Sequence, residues 1–333
     1  MRVSVIINRK AGSIKVDSLI QKIEESLFRC DVQIFQSSSF QEMDSFIHSE
    51  LKNKTDAFMI CGGDGTINAT LQVLMKYQEA DTQLPPISIV SSGTANDLAH
   101  EIGISRRIGE ATRLILEGTE KKIDIIEVRS EGQTKYMLTN GGLGIPAATA
   151  DQSNKLRSFL QNLASAPEQN HFSQLASQYT YQAVKSLGST IYSMTLLKTL
   201  AEWKQHGWDL EITFSDGKII STYAPIVLVN NQPFLARKFL TGPYTSNSDG
   251  SVNLIVMETL TLMSQLKEII KVLRGLLKEN DLVRFYEVPG FSIRSKNPER
   301  KLTFFGDGEI LFDNVDQVNI KCLPQKLTVM VKE

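Results

Sequence analysis

The stretch Cys61-Gly62-Gly63-Asp64-Gly65-Thr66-Ile67-Asn68, directly after the apolar run Ala57 to Ile60, constrains this chain more than any other. A short apolar run that ends in glycines reads as a buried strand passing into a tight turn. The turn is built from Gly62, Gly63 and Gly65 with Asp64 at its tip, and Ile67, Leu71, Leu74 and Met75 then recur on one helical face. Glycines let backbone N–H groups approach an anion, and a helix N-terminus favours negative charge. A carboxylate in such a place repels a phosphate unless a cation lies between them. Asp64 therefore predicts a nucleotide-phosphate site that includes Mg²⁺.

A second turn of the same kind follows. Ile87 to Val90 is another apolar strand, Ser91-Ser92-Gly93-Thr94-Ala95-Asn96-Asp97 comes next, and Leu98 to Ile102 begins a helical segment. Two strand-to-helix turns from one parallel sheet open on the same edge, outside the carboxyl ends of the strands, where ligands bind in open α/β sheets. Neither turn is a P-loop, because no Gly-Lys-Ser/Thr follows. Neither has the spacing of a dinucleotide-binding fingerprint.

The first part of the chain alternates strand and helix patterns: strands at Val3–Ile7 and Val32–Phe35, helices at Leu19–Leu27, Phe40–Leu51 and Gly109–Leu116. This predicts an α/β domain over residues 1–122, a parallel sheet with flanking helices. From Ile123 short strands dominate, including Ile123–Val128, Tyr136–Thr139, Leu210–Phe214, Ile226–Val229 and Val252–Met257. Their spacing and turn signals suggest a sandwich or barrel over residues 123–324. A helical insertion is expected at about 151–205, because so long a loop rarely lacks structure of its own. A further helix is expected at Leu262–Leu277.

Composition narrows the function. Among 333 residues, 41% are hydrophobic and 22% charged, with a formal net charge of −1, so a general nucleic-acid binder is not expected. No apolar run approaches the ~20 residues that span a bilayer. The N-terminus reads as a first strand rather than a signal peptide. Cys30, Cys61 and Cys322 are far apart, as expected of reduced cytoplasmic thiols without a zinc site.

Gly62-Gly63-Asp64-Gly65-Thr66 together with Ser92-Gly93-Thr94-Ala95-Asn96-Asp97 resembles the diacylglycerol kinase catalytic domain, a family of soluble bacterial lipid kinases related to sphingosine and ceramide kinases. NAD kinases and phosphofructokinases share the first motif, and the second discriminates. The resemblance implies a NAD-kinase/diacylglycerol-kinase-like N-terminal domain and a β-sandwich-rich C-terminal domain. It also implies a final strand, about 325–333, that returns to the first domain. ATP and Mg²⁺ are the implied cofactors. The cradle would be Asn8, Gly62, Gly63, Asp64, Gly65, Thr66, Ser92, Gly93, Thr94 and Asn96. Asp64 would hold the metal. Asp97 reads equally as a helix cap and as a site carboxylate.

Gly306-Asp307-Gly308-Glu309 resembles the family's Asp-Gly-Glu motif, which implies Asp307 as general base and Glu309 as an orienting group. Asp249-Gly250 resembles an element that holds a structural metal in some members, although Ser248 stands where a second acid is common and a plain turn reads as well. Asp124 matches an Asp at the domain junction. Two positions depart from the pattern. Pro146 replaces an Asp near the lipid hydroxyl, and His100 replaces an Arg. The expected function is an ATP-dependent lipid kinase, acting on a lipid such as diacylglycerol at a membrane surface. It would be cytoplasmic and peripherally associated; Arg237-Lys238 and the Arg294–Lys301 loop read equally as membrane contacts and as ordinary solvated charge, and a homodimer is left open. Two rivals stand beside it: a NAD-kinase-like small-molecule kinase, and a non-catalytic membrane- or partner-binding protein on the same scaffold.

Overall fold

The computed structural model describes residues 1–8, 16–37, 39–78, 83–93, 96–144, 207–235, 239–242, 244–258, 264, 268, 271 and 276–333. The expected insertion at 151–205 lies outside them, as do the loop after Asn8, Thr94, Pro146 and Arg237-Lys238. Of the helix expected at Leu262–Leu277, only Ser264, Glu268 and Lys271 are described within helix, and Glu268 and Lys271 form an ion pair of 2.7 Å.

The N-terminal strands are β1 (Arg2–Asn8), β2 (Asp31–Ser37), β3 (Ala57–Gly62) and β4 (Ile87–Ser91), paired in parallel in the order β2-β1-β3-β4. The helices are α1 (Val16–Ser26), α2 (Phe40–Lys52), α3 (Asp64–Tyr77), α4 (Asp97–Glu101) and α5 (Ile108–Glu117). Two of the starts are informative. In α2, Ser39 accepts from the Glu42 N–H at 3.2 Å, one half of a capping box. Glycine occupies the cap of α3, with no side-chain bond. β3 is apolar and buried throughout, as expected of a central parallel strand covered on both faces.

The later strands are β5 (Thr119–Ser130), β6 (Gln133–Met137), β7 (Asn140–Gly144), β8 (Trp208–Phe214), β9 (Ile219–Ala224), β10 (Ile226–Asn230), β13 (Val252–Met257), β14 (Val283–Val288), β15 (Gly290–Ser295), β16 (Leu302–Gly306), β17 (Glu309–Val315) and β18 (Gln317–Val331). A short hairpin, β11 (Phe234–Leu235) with β12 (Phe239–Leu240), completes the described strands. β14, β13, β10, β7, β16 and β17 make one sheet. β18 continues the N-terminal sheet and also joins it to β15, β8 and β9, with β5 and β6 attached. The two sheets face each other across a core that includes Val128, Ile212, Ile293 and Ile320 from one side and Val227, Leu254 and Phe304 from the other. This is the β-sandwich of the second half.

β18 is the mechanical link between the halves. Near its start it pairs antiparallel with β15, and near its end Val329 pairs in parallel with Ile87 of β4. β5 runs beside it over most of its length, with a register shift between Leu323 and Leu327. β5 itself spans the junction at residue 122/123. Buried Asp124 fastens the shift: its carboxylate accepts from Gln325 N at 2.7 Å and from Gly250 N at 2.8 Å.

Candidate active site

The two glycine-bearing motifs meet at the carboxyl ends of β3 and β4. The first differs from the expected turn. Gly62 still belongs to β3, Gly63 is the cap of α3, and Asp64, Gly65 and Thr66 form the first helical turn. The strand therefore passes into the helix with almost no loop. Thr66 N and Ile67 N both donate to Gly63 O, at 2.9 and 3.1 Å. Asn8 at the end of β1 reaches across and donates from Nδ2 to Thr66 Oγ1 at 3.0 Å. Ser92 N donates to Gly62 O at 2.9 Å, which holds the second motif against the first.

Asn96 takes a left-handed backbone conformation, φ 53°, and its Nδ2 donates to Gly93 O at 2.9 Å. That shape turns the backbone amides of Asn96, Asp97 and Leu98 toward the Asp64 carboxylate, and their dipoles favour its charged form. Asp64 thus faces the start of α4 from another element. Burial, and next the charge of Asp307, push the Asp64 pKa up to about 6, while the three amides pull it down. Its Oδ1 is buried without a hydrogen-bond partner. Asp97 begins α4, and His100 is an exposed residue in that helix's last turn.

Asp307 reaches the same place from the sandwich. It lies in the β16–β17 turn with φ 52°. Asn68 Nδ2 donates to its Oδ2 at 2.6 Å, and Leu138 N reaches both oxygens at 3.0 and 3.1 Å. Thr139 donates to Oδ1 from N at 2.8 Å and from Oγ1 at 2.7 Å. Burial raises the Asp307 pKa, and these donors act against the rise. The acceptor capacity of this carboxylate is largely used. Glu309, the first residue of β17, is exposed, and its Oε1 lies 3.5 Å from where a Cβ on Gly65 would stand. Its carboxylate thus overhangs the first turn of α3.

The geometry brings together Asn8, Gly62, Gly63, Asp64, Gly65, Thr66, Ser92, Gly93, Asn96, Asp97, Asp307 and Glu309. It keeps Asp249 apart. Asp249 Oδ1 accepts from Ser251 N at 3.0 Å and Ser251 Oγ at 2.8 Å, a local turn. Burial, with Asp124 and Asp249 adding to it, pushes the nearby Cys322 thiol up to about 12. Among the described residues, no three His, Cys, Asp or Glu side chains converge as metal ligands.

Sequence reasoning missed Asn68, Gln72 and Thr139. The only signal for the first two was a pair of amides at i, i+4 on a helix whose other faces are apolar. In the Arg294–Lys301 loop two of the basic residues form ion pairs. Arg294 pairs with Glu211 at 2.6 Å and Lys301 pairs with Asp316.

Comparison with known proteins agrees with this architecture. The family described as "Diacylglycerol kinase catalytic domain" matches residues 2–128, and "YegS C-terminal NAD kinase beta sandwich-like domain" matches residues 170–331. A protein of Staphylococcus carnosus named "Putative lipid kinase" is 24% identical over 280 residues, 83% of this chain and 76% of its own length. A "Probable lipid kinase YegS-like" of Stenotrophomonas maltophilia is 30% identical over 125 residues, 37% of this chain and 40% of its own. A Bacillus anthracis crystal structure titled as a "putative diacylglycerol kinase" superposes with a TM-score of 0.72 at 20% identity, covering 99% of this chain and 97% of that one, which speaks to the fold. With both halves matched and the shared motifs gathered at one sheet edge, the chain belongs to the diacylglycerol kinase catalytic-domain family of lipid kinases.

Proposed function

We propose that the chain transfers the γ-phosphate of ATP to the hydroxyl of a membrane lipid, diacylglycerol being the reference acceptor. The observation that carries this reading is the convergence of the glycine cradle with the Asp307–Glu309 turn. One supplies a seat for phosphates, the other a carboxylate for the acceptor, and phosphoryl transfer needs little more than positioning and charge stabilisation.

The residues fit a Mg²⁺–nucleotide. Gly63 and Gly93 bring the two motifs backbone to backbone, with no room for a Cβ on either, and Asp64 has an unpartnered buried oxygen beside a second carboxylate. Asp64 would hold the ion with phosphate oxygens and waters, the usual Mg²⁺ donor set, and the ion would offset phosphate charge. Asn8 braces Thr66 at the floor of the cradle.

The surroundings of the two carboxylates support an exchange of the roles expected from the sequence. Asp307 is saturated with donors and serves as an anchor for its turn. Glu309 is exposed and faces the cradle, so it is the better placed base. It takes the hydroxyl proton as the acceptor oxygen bonds to the γ-phosphorus. The bond from that phosphorus to the bridging oxygen breaks, and its electron pair leaves with ADP.

Among the described residues no helix is long and apolar enough to cross a membrane. The acceptor would therefore be reached by peripheral contact with the bilayer surface. Purified protein with radiolabelled ATP and mixed micelles of diacylglycerol, ceramide, a sphingoid base or phosphatidylglycerol tests the reading. Labelled lipid with unmodified NAD is expected. Labelled NAD without lipid product would overturn it, and no product from either would favour a binding protein. Flotation with anionic vesicles at low and high salt tests the surface contact.

A further inference from the structure

We infer that Asn68 and Gln72 are positioning residues that set the acceptor-side turn against the nucleotide cradle. This rests on the proposed kinase reading and adds residues to it. Asn68 lies one turn below the cradle on α3. Its Nδ2 donates to Asp307 Oδ2 at 2.6 Å and to Tyr136 O at 3.0 Å, so one amide joins the helix to both the β16–β17 turn and β6. Its own Oδ1 accepts from Gln72 Nε2 at 3.0 Å, which fixes the amide with its NH₂ toward the carboxylate.

Gln72 completes the arrangement. Its Nε2 donates to Tyr136 O at 2.7 Å, and its Oε1 accepts from Tyr136 N at 3.1 Å. Among the described residues β6 pairs only with β5, so its other edge meets no strand. The Gln72 amide occupies that edge as a neighbouring strand would. The links then close on themselves. Tyr136 leads in two residues to Leu138 and Thr139, whose N–H groups donate to Asp307, which in turn accepts from Asn68.

The consequence is geometric. The first turn of α3 holds the phosphates in the proposed reading, and Glu309 lies two residues from Asp307. The residues on the two sides of the reaction come from distant parts of the chain, 239 positions apart for Asn68 and Asp307. Among the described residues, Asn68 makes the direct side-chain hydrogen bond between α3 and that turn. A misplacement of about 1 Å between reacting groups can cost about 10²-fold in rate.

The test compares Asn68→Leu and Gln72→Met with the unaltered full chain, after thermal melting has confirmed folding. Turnover in lipid micelles, ATP affinity by calorimetry and ATP hydrolysis without lipid product are all read. For Asn68→Leu, a fall in kcat of about 10- to 100-fold is expected, with ATP affinity within about 2-fold and a larger share of uncoupled hydrolysis. Gln72→Met should move the same quantities less, because Asn68 remains but loses its orienting partner. Unchanged kcat in both folded variants would overturn the inference. So would a parallel loss of kcat and ATP affinity, or failure of both variants to fold, since the amides would then only hold the halves together. An unaltered chain that makes no labelled lipid would instead fail the kinase reading itself.

Discussion

A Cβ placed on Gly93 would stand 2.5 Å from the Cα of Gly63, and one placed on Gly63 would stand 2.9 Å from the Cα of Gly93. The two motifs touch backbone to backbone, and Gly63 needs room rather than an unusual conformation, since its φ is −102°. Gly93→Ala must push α3 away from the second motif or displace Asn96, whose Oδ1 would lie at 2.7 Å. The expected outcome is a loss of about 1–3 kcal/mol of stability from overpacking. ATP affinity should fall with it. Calorimetric titration and a melting curve check both. Wild-type affinity would separate the glycine contact from the nucleotide.

The two carboxylates of the acceptor turn give opposite expectations. Glu309→Gln should leave the melting temperature and ATP affinity in place and lower turnover by about 10²- to 10⁴-fold, the range of a lost general base. Asp307→Asn turns an NH₂ toward groups that are themselves donors. It should therefore destabilise the fold by about 1–3 kcal/mol per unsatisfied donor. Full turnover by Glu309→Gln would return the base to Asp307.

Asp64 supplies a pH test. Its pKa rises from 3.8 to about 6 through burial first and the charge of Asp307 second. The folded chain thus holds this proton more tightly than the unfolded one. The group's contribution to stability is fully present below pH 3.8 and is lost as pH rises through about 6. In the absence of nucleotide and metal, Asp64→Asn should melt higher than the parent at about pH 8 and show no such gain at about pH 4. The same variant should lose Mg²⁺-dependent ATP binding, and EDTA should reproduce that loss in the parent. Equal ATP affinity with and without Mg²⁺ would remove the metal role.

Asp124 acts on the fold and not on the chemistry. Its substitution by Ala removes the buried acceptor of the part-buried amides of Gly250 and Gln325. A cost of about 0.5–1.5 kcal/mol for each lost bond is expected in urea titration. Turnover per folded molecule should be unchanged.

Much of this protein was legible in its sequence because the signals are local. The Gly62–Thr66 and Ser92–Asp97 motifs follow short apolar strands, and both are found at one edge of a parallel sheet. The change to short strands near Ile123 marked the sandwich, and the resemblance to lipid kinases named the family. Each depends on hydrophobic period, on glycine, or on residues adjacent in the chain.

What the sequence left undecided is pairing between distant segments. Ser39 and Glu42 announce a helix start because cap and donor are three residues apart. Nothing local announces that Asp64 faces the start of α4, that Asn68 meets Asp307, or that Gln72 covers the edge of β6. An Asp-Gly-Glu turn reads the same whether its first carboxylate is open or ringed by donors. Only the packing of the sandwich against α3 supplied Leu138, Thr139 and Asn68 to Asp307 and left Glu309 exposed. The sequence by itself determined the element types, the two glycine-bearing motifs and the family. Tertiary structure decided which carboxylate is saturated and which is available, because hydrogen-bond saturation depends on neighbours that folding alone brings within reach.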